Sequence, residues 1–496
     1  MKHILLTMTL LFGMLQTGVA QNKPRTIVTT DGEIDDVDSF IRMLLYSNEF
    51  NLEGLIYSSS QWHYKGDGKG TVFTSEMEMT AKLYGAKTSL RWPGTQWIRD
   101  LLKEYSKVYP NLLKHDKAYP SPAYLTKLIH VGNIDFEGEM EKDTEGSNFI
   151  KSKLLDNDMS PLFLQIWGGT NTIARALKSI EDEYGKTPQW KSIYEKVCKK
   201  TVLYAVLDQD ATYRKYVSVK WPDMKIFYNS NQFWCFAYPW PRVVPEALQP
   251  YLRGAFMGKN IIKNHGPLLE KYYSWGDGQK QEGDDDHKHG TLEEMNKQKM
   301  TQYDFISEGD SPAYFQLIDV GLMNKNNPEY GGWGGRMVQS TSNPHRWEDG
   351  NHVKDYNPYT KKEDTAFPQT RWVEALQLDF AARADWCIKP YAEANHAPKL
   401  TLKNGNFKKV KAGQSVLLEA SATDPDKNQV AFTFWQYPEA GTYPQSVTIS
   451  PEGNNKVKVA IPSDAQKGQT IHIIVEGRDN GTPSIIRYQR AILTVE

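Results

Sequence analysis

Three aspartates crowd one short stretch of this chain, Thr29-Thr30-Asp31-Gly32-Glu33-Ile34-Asp35-Asp36. The apolar run Thr26, Ile27, Val28 precedes it, and Val37, Phe40, Ile41, Leu44 and Leu45 follow at helical spacing. Asp31, Asp35 and Asp36 therefore fall where a strand turns into a helix. Open α/β sheets bind ligands there, outside the carboxyl ends of their strands. Crowded carboxylates repel one another and lose hydration, so they call for a cation, hydrogen bonds or solvent. Helix capping is the plainer explanation, since an Asp in a first turn satisfies free N–H groups and complements the macrodipole. Capping needs one Asp or two; three favour a shared metal or substrate site.

Two more segments could add to such a site. After the apolar run ending at Trp167 comes Gly168-Gly169-Thr170-Asn171, a glycine pair at a strand end followed by a polar opening to a helix. Later, Glu308-Gly309-Asp310-Ser311-Pro312 places an acid just before a Pro suited to a helix's first turn.

The elements that must position these residues follow a regular alternation. Strands are expected at Leu52–Tyr57, Pro161–Trp167, Thr201–Leu207 and Met224–Tyr228. Helices are expected at Gln96–Tyr109, Ser147–Leu155 and Thr172–Glu183. Strands alternating with helices imply βαβ units and a mainly parallel sheet. A helix over Thr370–Ala384 closes this domain, which we bound at residues 21–395. Two segments interrupt the pattern. Gly276 to Gly290, with Asp284-Asp285-Asp286-His287-Lys288-His289, reads as a solvated charged loop, with a metal site as the lesser alternative. Gly331-Gly332-Trp333-Gly334-Gly335-Arg336 reads equally as a loop bordering a ligand or as a packing turn.

From residue 396 to 496 the character changes to short β-type runs separated by turns such as Asp424-Pro425-Asp426 and Asp479-Asn480-Gly481. Roughly seven short strands in about 100 residues indicate an immunoglobulin-like β-sandwich. Asp424 and Asp426 suit a simple turn better than a calcium site. Cys198, Cys235 and Cys387 are an odd, widely spaced set, expected as free buried thiols.

Residues 1–20 read as a signal peptide: a basic start at Lys2, an apolar stretch too short to span a membrane, and a small-residue site at Gly18-Val19-Ala20. A secreted or periplasmic protein without a membrane anchor follows. The 59 Lys+Arg against 60 Asp+Glu offer no steering of nucleic acid. The 14 Trp, 27 Tyr and 18 Phe suit carbohydrate-handling surfaces, though large cores use the same residues.

The segments TTDGEIDDVDSF, EGSNFIKSKLL, WGGTNTIARAL, EGDSPAYF, GGWGGR and RDNGTP carry a family resemblance. The chain resembles the inosine-uridine nucleoside hydrolase superfamily. It is closer still to secreted bacterial cellulose-binding proteins that join a nucleoside hydrolase-like domain to an immunoglobulin-like one. The resemblance implies a calcium ion held by Asp31, Asp36, Asp310 and a carbonyl at Asn171 or Thr170. It implies a sugar-hydroxyl contact at Asp35 and a water-activating base at Asp31. Superfamily members often form oligomers, so a homo-oligomer is an open option.

Departures from the superfamily bear on the substrate. Thr29 stands at the first Asp of the motif, and Gly309 precedes Asp310 where many members carry a His that helps the leaving base depart. Asn229 and Asn231 are candidates for the ribose-gripping segment. Trp62, Trp167, Trp234 and Trp333, with Arg336, are candidates for a rebuilt, sugar-stacking side, although each Trp taken singly suits a core. The leading expectation is a secreted calcium-dependent hydrolase of a glycosidic or N-glycosidic bond, acting on a carbohydrate or nucleoside-like small molecule. The alternative is a non-catalytic carbohydrate-binding protein on the same scaffold.

Overall fold

Every residue of the first strand, Arg25–Thr30 (β1), is buried, because β1 runs through the middle of a sheet covered on both faces. Ile27 packs into one core with Ile56, Leu164 and Leu203, while Val28 packs into the opposite one with Phe40, Leu44 and Tyr204. A strand buried on both faces reads as a continuous apolar run rather than an alternating one. The computed structural model describes residues 23–496; the expected signal peptide lies outside them.

Asn51–Tyr57 (β2), Ile129–Val131 (β3), Leu162–Ile166 (β4), Thr201–Val206 (β5) and Lys225–Asn229 (β6) run parallel to β1 in the order β3-β2-β1-β4-β5-β6. Val338–Gln339 (β7) and Arg346–Glu348 (β8) extend the edge beyond β6, with β8 parallel to it and β7 antiparallel to β8. Strand order reverses between β1 and β4. That reversal is the topological switch point of a doubly wound sheet, where the loops leaving two neighbouring strands splay apart and open a crevice. Helix α1 (Ile34–Leu45) follows β1, and α2 (Asn171–Tyr184) follows β4.

The helices Glu145–Leu155 and Val373–Trp386 fall close to their expected positions, and Trp97–His115 runs one and a half turns longer than expected. The first of them starts at a reciprocal cap: Thr144 Oγ1 accepts from Ser147 N (3.1 Å), and Ser147 Oγ from Thr144 N (2.8 Å). The short strands β3, β7 and β8 carry too few residues to show a pattern in sequence.

The C-terminal residues form a β-sandwich of two four-stranded sheets. Phe407–Val410 runs parallel to Ile486–Val495, and the other pairings are antiparallel. Its interior is Leu418, Val459, Ile473 and Leu493, without a disulfide. Cys198, Cys235 and Cys387 are free and buried, as expected. Asp424 Oδ1 accepts from the backbone of Asp426 and Asn428 (both 2.9 Å), the geometry of a simple turn.

One face of the sandwich docks on the α/β domain: Tyr437, Ile474, Ile486 and Tyr488 belong to the same apolar cluster as Trp372 and Phe380. Arg490 Nε donates to Leu322 O (2.8 Å), and Arg487 pairs with the buried Asp379 (2.7 Å). No helix among the described residues is long and apolar enough to cross a membrane.

Candidate functional site

The cleft opens at the switch point. Asp31 leaves the end of β1, and Asp35 and Asp36 sit in the first turn of α1. Capping does not explain them: the N-cap of α1 is Glu33, which makes no side-chain capping bond. Asp310 arrives from the far part of the chain, immediately before the short helix Ser311–Phe315, which carries Pro312 in its first turn as expected. One carboxylate oxygen each from Asp35, Asp36 and Asp310 lies within a single 4.8 Å cluster.

Burial and mutual repulsion shape the electrostatics. Desolvation, then Glu33 and Asp31, push Asp35 well above the usual carboxylate range; desolvation, then Asp31 and Asp310, do the same to Asp36. Desolvation and the charges of Asp35 and Asp31 raise Asp310. Thr30 Oγ1 donates to Asp36 Oδ1.

Asp31 behaves oppositely. Its burial opposes charge, but His63 and Ser60 outweigh that and hold it below the usual range. His63 Nδ1 stands 3.6 Å from Asp31 Oδ2, which is buried and accepts no hydrogen bond. His63 Nε2 stands 3.6 Å from Asp284 Oδ2. Burial and Arg91 work against a charge on His63, yet Asp284, Asp31 and Glu33 raise it to about 9. Arg91 in turn forks onto Asp284 with two bonds of 2.9 Å and approaches Glu33 at 3.5 Å. Tyr238 OH donates to Glu33 Oε1 (2.8 Å).

Glycines make this crowding possible. A Cβ at Gly168 would lie 2.7 Å from Asp31 Cγ, and one at Gly169 would lie 2.3 Å from Ser59 O. The pair lets the turns after β1, β2 and β4 meet.

The cleft above has a volume of about 230 Å³. Asp35, Asp36 and Asp310 form its polar floor, and Trp62, Trp167, Trp234 and Tyr238 its aromatic walls.

Other expected site residues are placed elsewhere. Asn171 spends its side-chain amide on Ser59 Oγ and Asn133 O, both at 2.9 Å. Asn229 bonds Tyr204 OH and the Phe233 amide (both 3.0 Å), and Asn231 bonds Thr365 O (3.1 Å). Both hold backbone in place and neither lines the cleft. Trp333 and Arg336 are likewise corrected: Trp333 is fully buried under Arg487, and Arg336 pairs with Asp355 (2.7 Å). Their loop is a packing turn because the sandwich covers it.

His63, Arg91 and Asp284 were missed. Asp284 lies in the segment expected to be solvated, yet it is fully buried, and Gln281 Nε2 donates to Gly32 O (2.5 Å) across the same contact. Asp285 and Asp286 match a solvated loop, their side chains 96% and 50% exposed. The available signal was Gly283, whose φ of +79° lets that loop turn back against Trp92 O.

Comparison with known proteins now fits this geometry. The family described as cellulose-binding Sde182, nucleoside hydrolase-like domain, matches residues 25–337, and the C-terminal domain of cellulose-binding protein Sde0182 matches residues 415–495. The chain belongs to this family. A solved structure of a nucleoside hydrolase-related protein from Saccharophagus degradans, associated with carbohydrate metabolism, is 25% identical over 96% of this chain and 100% of its own, with a TM-score of 0.69. The effector protein XOO4466 is 10% identical over 74% of this chain and 95% of its own, with a TM-score of 0.37. None of the curated proteins compared with this chain matches it.

Proposed function

We propose that this chain is a secreted, calcium-dependent hydrolase that cleaves a glycosidic or N-glycosidic bond of a carbohydrate in the cleft above Asp35, Asp36 and Asp310. The convergence of those three carboxylates within 4.8 Å, at the foot of an aromatic-walled cleft, carries the proposal. The family's cellulose-binding description and the carbohydrate association of the Saccharophagus degradans relative supply the substrate class and an extracellular setting.

The donor set fits a divalent cation. Hard carboxylate oxygens suit calcium, whose six to eight positions leave room for carbonyls, water and sugar hydroxyls. Asp31 Oδ2, which accepts no hydrogen bond, adds negative charge close to them. Bound there, calcium would offset the repulsion and lower the pKa of an adjacent water. Asp35 thus joins Asp36 and Asp310 as a proposed ligand, while Asp31, outside that cluster, keeps only the role of base, and the Asn171 or Thr170 carbonyl stays a candidate donor.

Asp31, kept ionised by His63, accepts the proton of the attacking water. The water oxygen bonds to the anomeric carbon as the bond to the leaving group breaks. A single displacement of this kind inverts the anomeric configuration. Trp62 and Trp234, both half-buried, hold the sugar ring against their faces, while Trp167 is fully buried.

Gly309 favours a second reading, a site that grips sugars without cleaving them. A side chain there would meet Asp35 Oδ2 at 2.9 Å, so no leaving-group acid fits just before Asp310. Hydrolysis of pentosides, hexosides, oligosaccharides and nucleosides, with calcium and with chelator, separates the two. Calcium-dependent turnover abolished in Asp31→Ala supports the enzyme; glycan binding without turnover, unchanged in Asp31→Ala, establishes the binding protein.

A further inference from the structure

A second pocket, of about 330 Å³, lies at the junction of the two domains and shares no lining residue with the cleft. Tyr356, Arg371 and Trp372 enter it from the α/β domain, and Trp435, Glu439 and Glu476 from the sandwich. We propose that this pocket binds a neutral oligosaccharide, with a pyranose ring laid on Trp435.

The aromatic surface is the first support. Trp435 is half-buried and stands in a tilted cluster with Trp372 (6.1 Å) and Tyr437 (5.7 Å), so its ring is held in place by neighbours. Arg371 lies 5.5 Å from that ring and 4.3 Å from the Tyr437 ring, which fixes the cluster further. Tyr356 remains 52% exposed at the rim. Rigid aromatic faces offer large contact at low entropic cost, and their negative π-surfaces attract the C–H faces of a sugar.

The polar groups decide the ligand class. Glu439 Oε1 accepts from the Tyr356 amide (2.7 Å), while Glu439 Oε2 and Arg371 Nε have no hydrogen-bond partner. A purely apolar ligand would strip water from the Arg371, Glu439 and Glu476 side chains that line the pocket without pairing them, which is costly. An anionic ligand would face two carboxylates and an arginine already paired with Asp355 (3.4 Å). Hydroxyls, each both donor and acceptor, meet every requirement. The volume falls at the lower end of the ~300–1,000 Å³ typical of small-ligand pockets.

Because both domains contribute walls, a bound glycan would also tie them together. The proposal stands apart from the cation-dependent cleft, and one titration distinguishes the two. Cellotetraose, xylotetraose and mannotetraose are titrated calorimetrically into the mature full-length protein, with calcium and with EDTA. The expected result is that at least one binds equally in both conditions. Its affinity falls about tenfold in Trp435→Ala. Tyr356→Ala and Glu439→Gln, both at the rim, also weaken it, and Asp310→Asn leaves it unchanged. Glu439→Gln is informative because the Tyr356 amide keeps the oxygen on its own side and turns the NH₂ towards the unpartnered position. The proposal is overturned if no tetrasaccharide binds in EDTA, or if Tyr356→Ala and Glu439→Gln bind like the wild type. Binding that vanishes with EDTA and in Asp310→Asn but survives in Trp435→Ala assigns the sugar to the cleft instead.

Discussion

A Cβ atom on Gly309 would lie 2.9 Å from Asp35 Oδ2, so any side chain before Asp310 pushes the Asp35 carboxylate out of its present place in the cluster. Gly309→Ala should displace the Asp35 carboxylate without disturbing the backbone, since the nearest other atoms, Phe233 Cδ2 and Ala237 Cβ, lie at 3.5 and 3.6 Å. Calcium affinity is expected to fall about 10- to 100-fold, as when groups supporting metal ligands are altered. Calorimetric titration checks it; an unchanged affinity would remove Asp35 from the ion's ligands.

His63 bridges Asp31 and Asp284 at 3.6 Å to each. His63→Gln keeps the bulk but removes the charge that holds Asp31 ionised. Turnover should drop by about two orders of magnitude, with substrate affinity little changed, because an interaction needed in the transition state has been weakened. A rise in KM with kcat intact would instead make His63 part of substrate binding.

Arg91 forks onto the fully buried Asp284 carboxylate. Burial alone would raise Asp284, but His63 and Arg91 hold it far below the carboxylate range. Arg91→Met leaves that charge with only His63 and the Asp286 amide (3.0 Å) and should cost about 3 kcal/mol in urea unfolding. A loss below about 0.5 kcal/mol would mean that solvent reaches the pair.

Much of this architecture is legible in sequence. The aspartate triplet and the glycine pair Gly168-Gly169 each combine a residue type with a strand-to-helix junction, Asp310 before Pro312 combines one with a loop-to-helix junction, and all three meet around the crevice. Local pattern carries that much because every strand of a buried parallel sheet ends on the same side. Long-range pairing is not legible. His63, Arg91 and Asp284 look unremarkable one by one, and an acidic run suggests solvent until its partners are known. The placement of Trp333 and Arg336 failed for a related reason: a Gly-rich loop serves a ligand or a neighbouring domain equally well, and the docked sandwich decides between them.

The domain junction should also respond to pH. His472 Nδ1 lies 3.0 Å from Arg490 Nη1, and burial together with that guanidinium pushes the imidazole down to about 3. In the unfolded chain it titrates near ~6.5. Between those values the unfolded state binds the extra proton, so stability is complete above about pH 6.5 and is lost as pH falls towards about 3. Wild type should lose about 1–2 kcal/mol more than His472→Asn between about pH 6.5 and about pH 5 in denaturant melts. Parallel pH curves for the two proteins would show that His472 is not the titrating group.

The central claim is that Asp35, Asp36 and Asp310 hold a divalent cation, and the most direct measurement is a calcium titration of wild type and Asp310→Asn followed by thermal unfolding. The wild type should bind one calcium and gain several degrees on saturation. Asp310→Asn should bind none and, relieved of carboxylate repulsion, unfold at a higher temperature than the wild type in EDTA. A wild type that neither binds calcium nor changes its melting temperature, or an Asp310→Asn protein that binds calcium as tightly, would contradict the account.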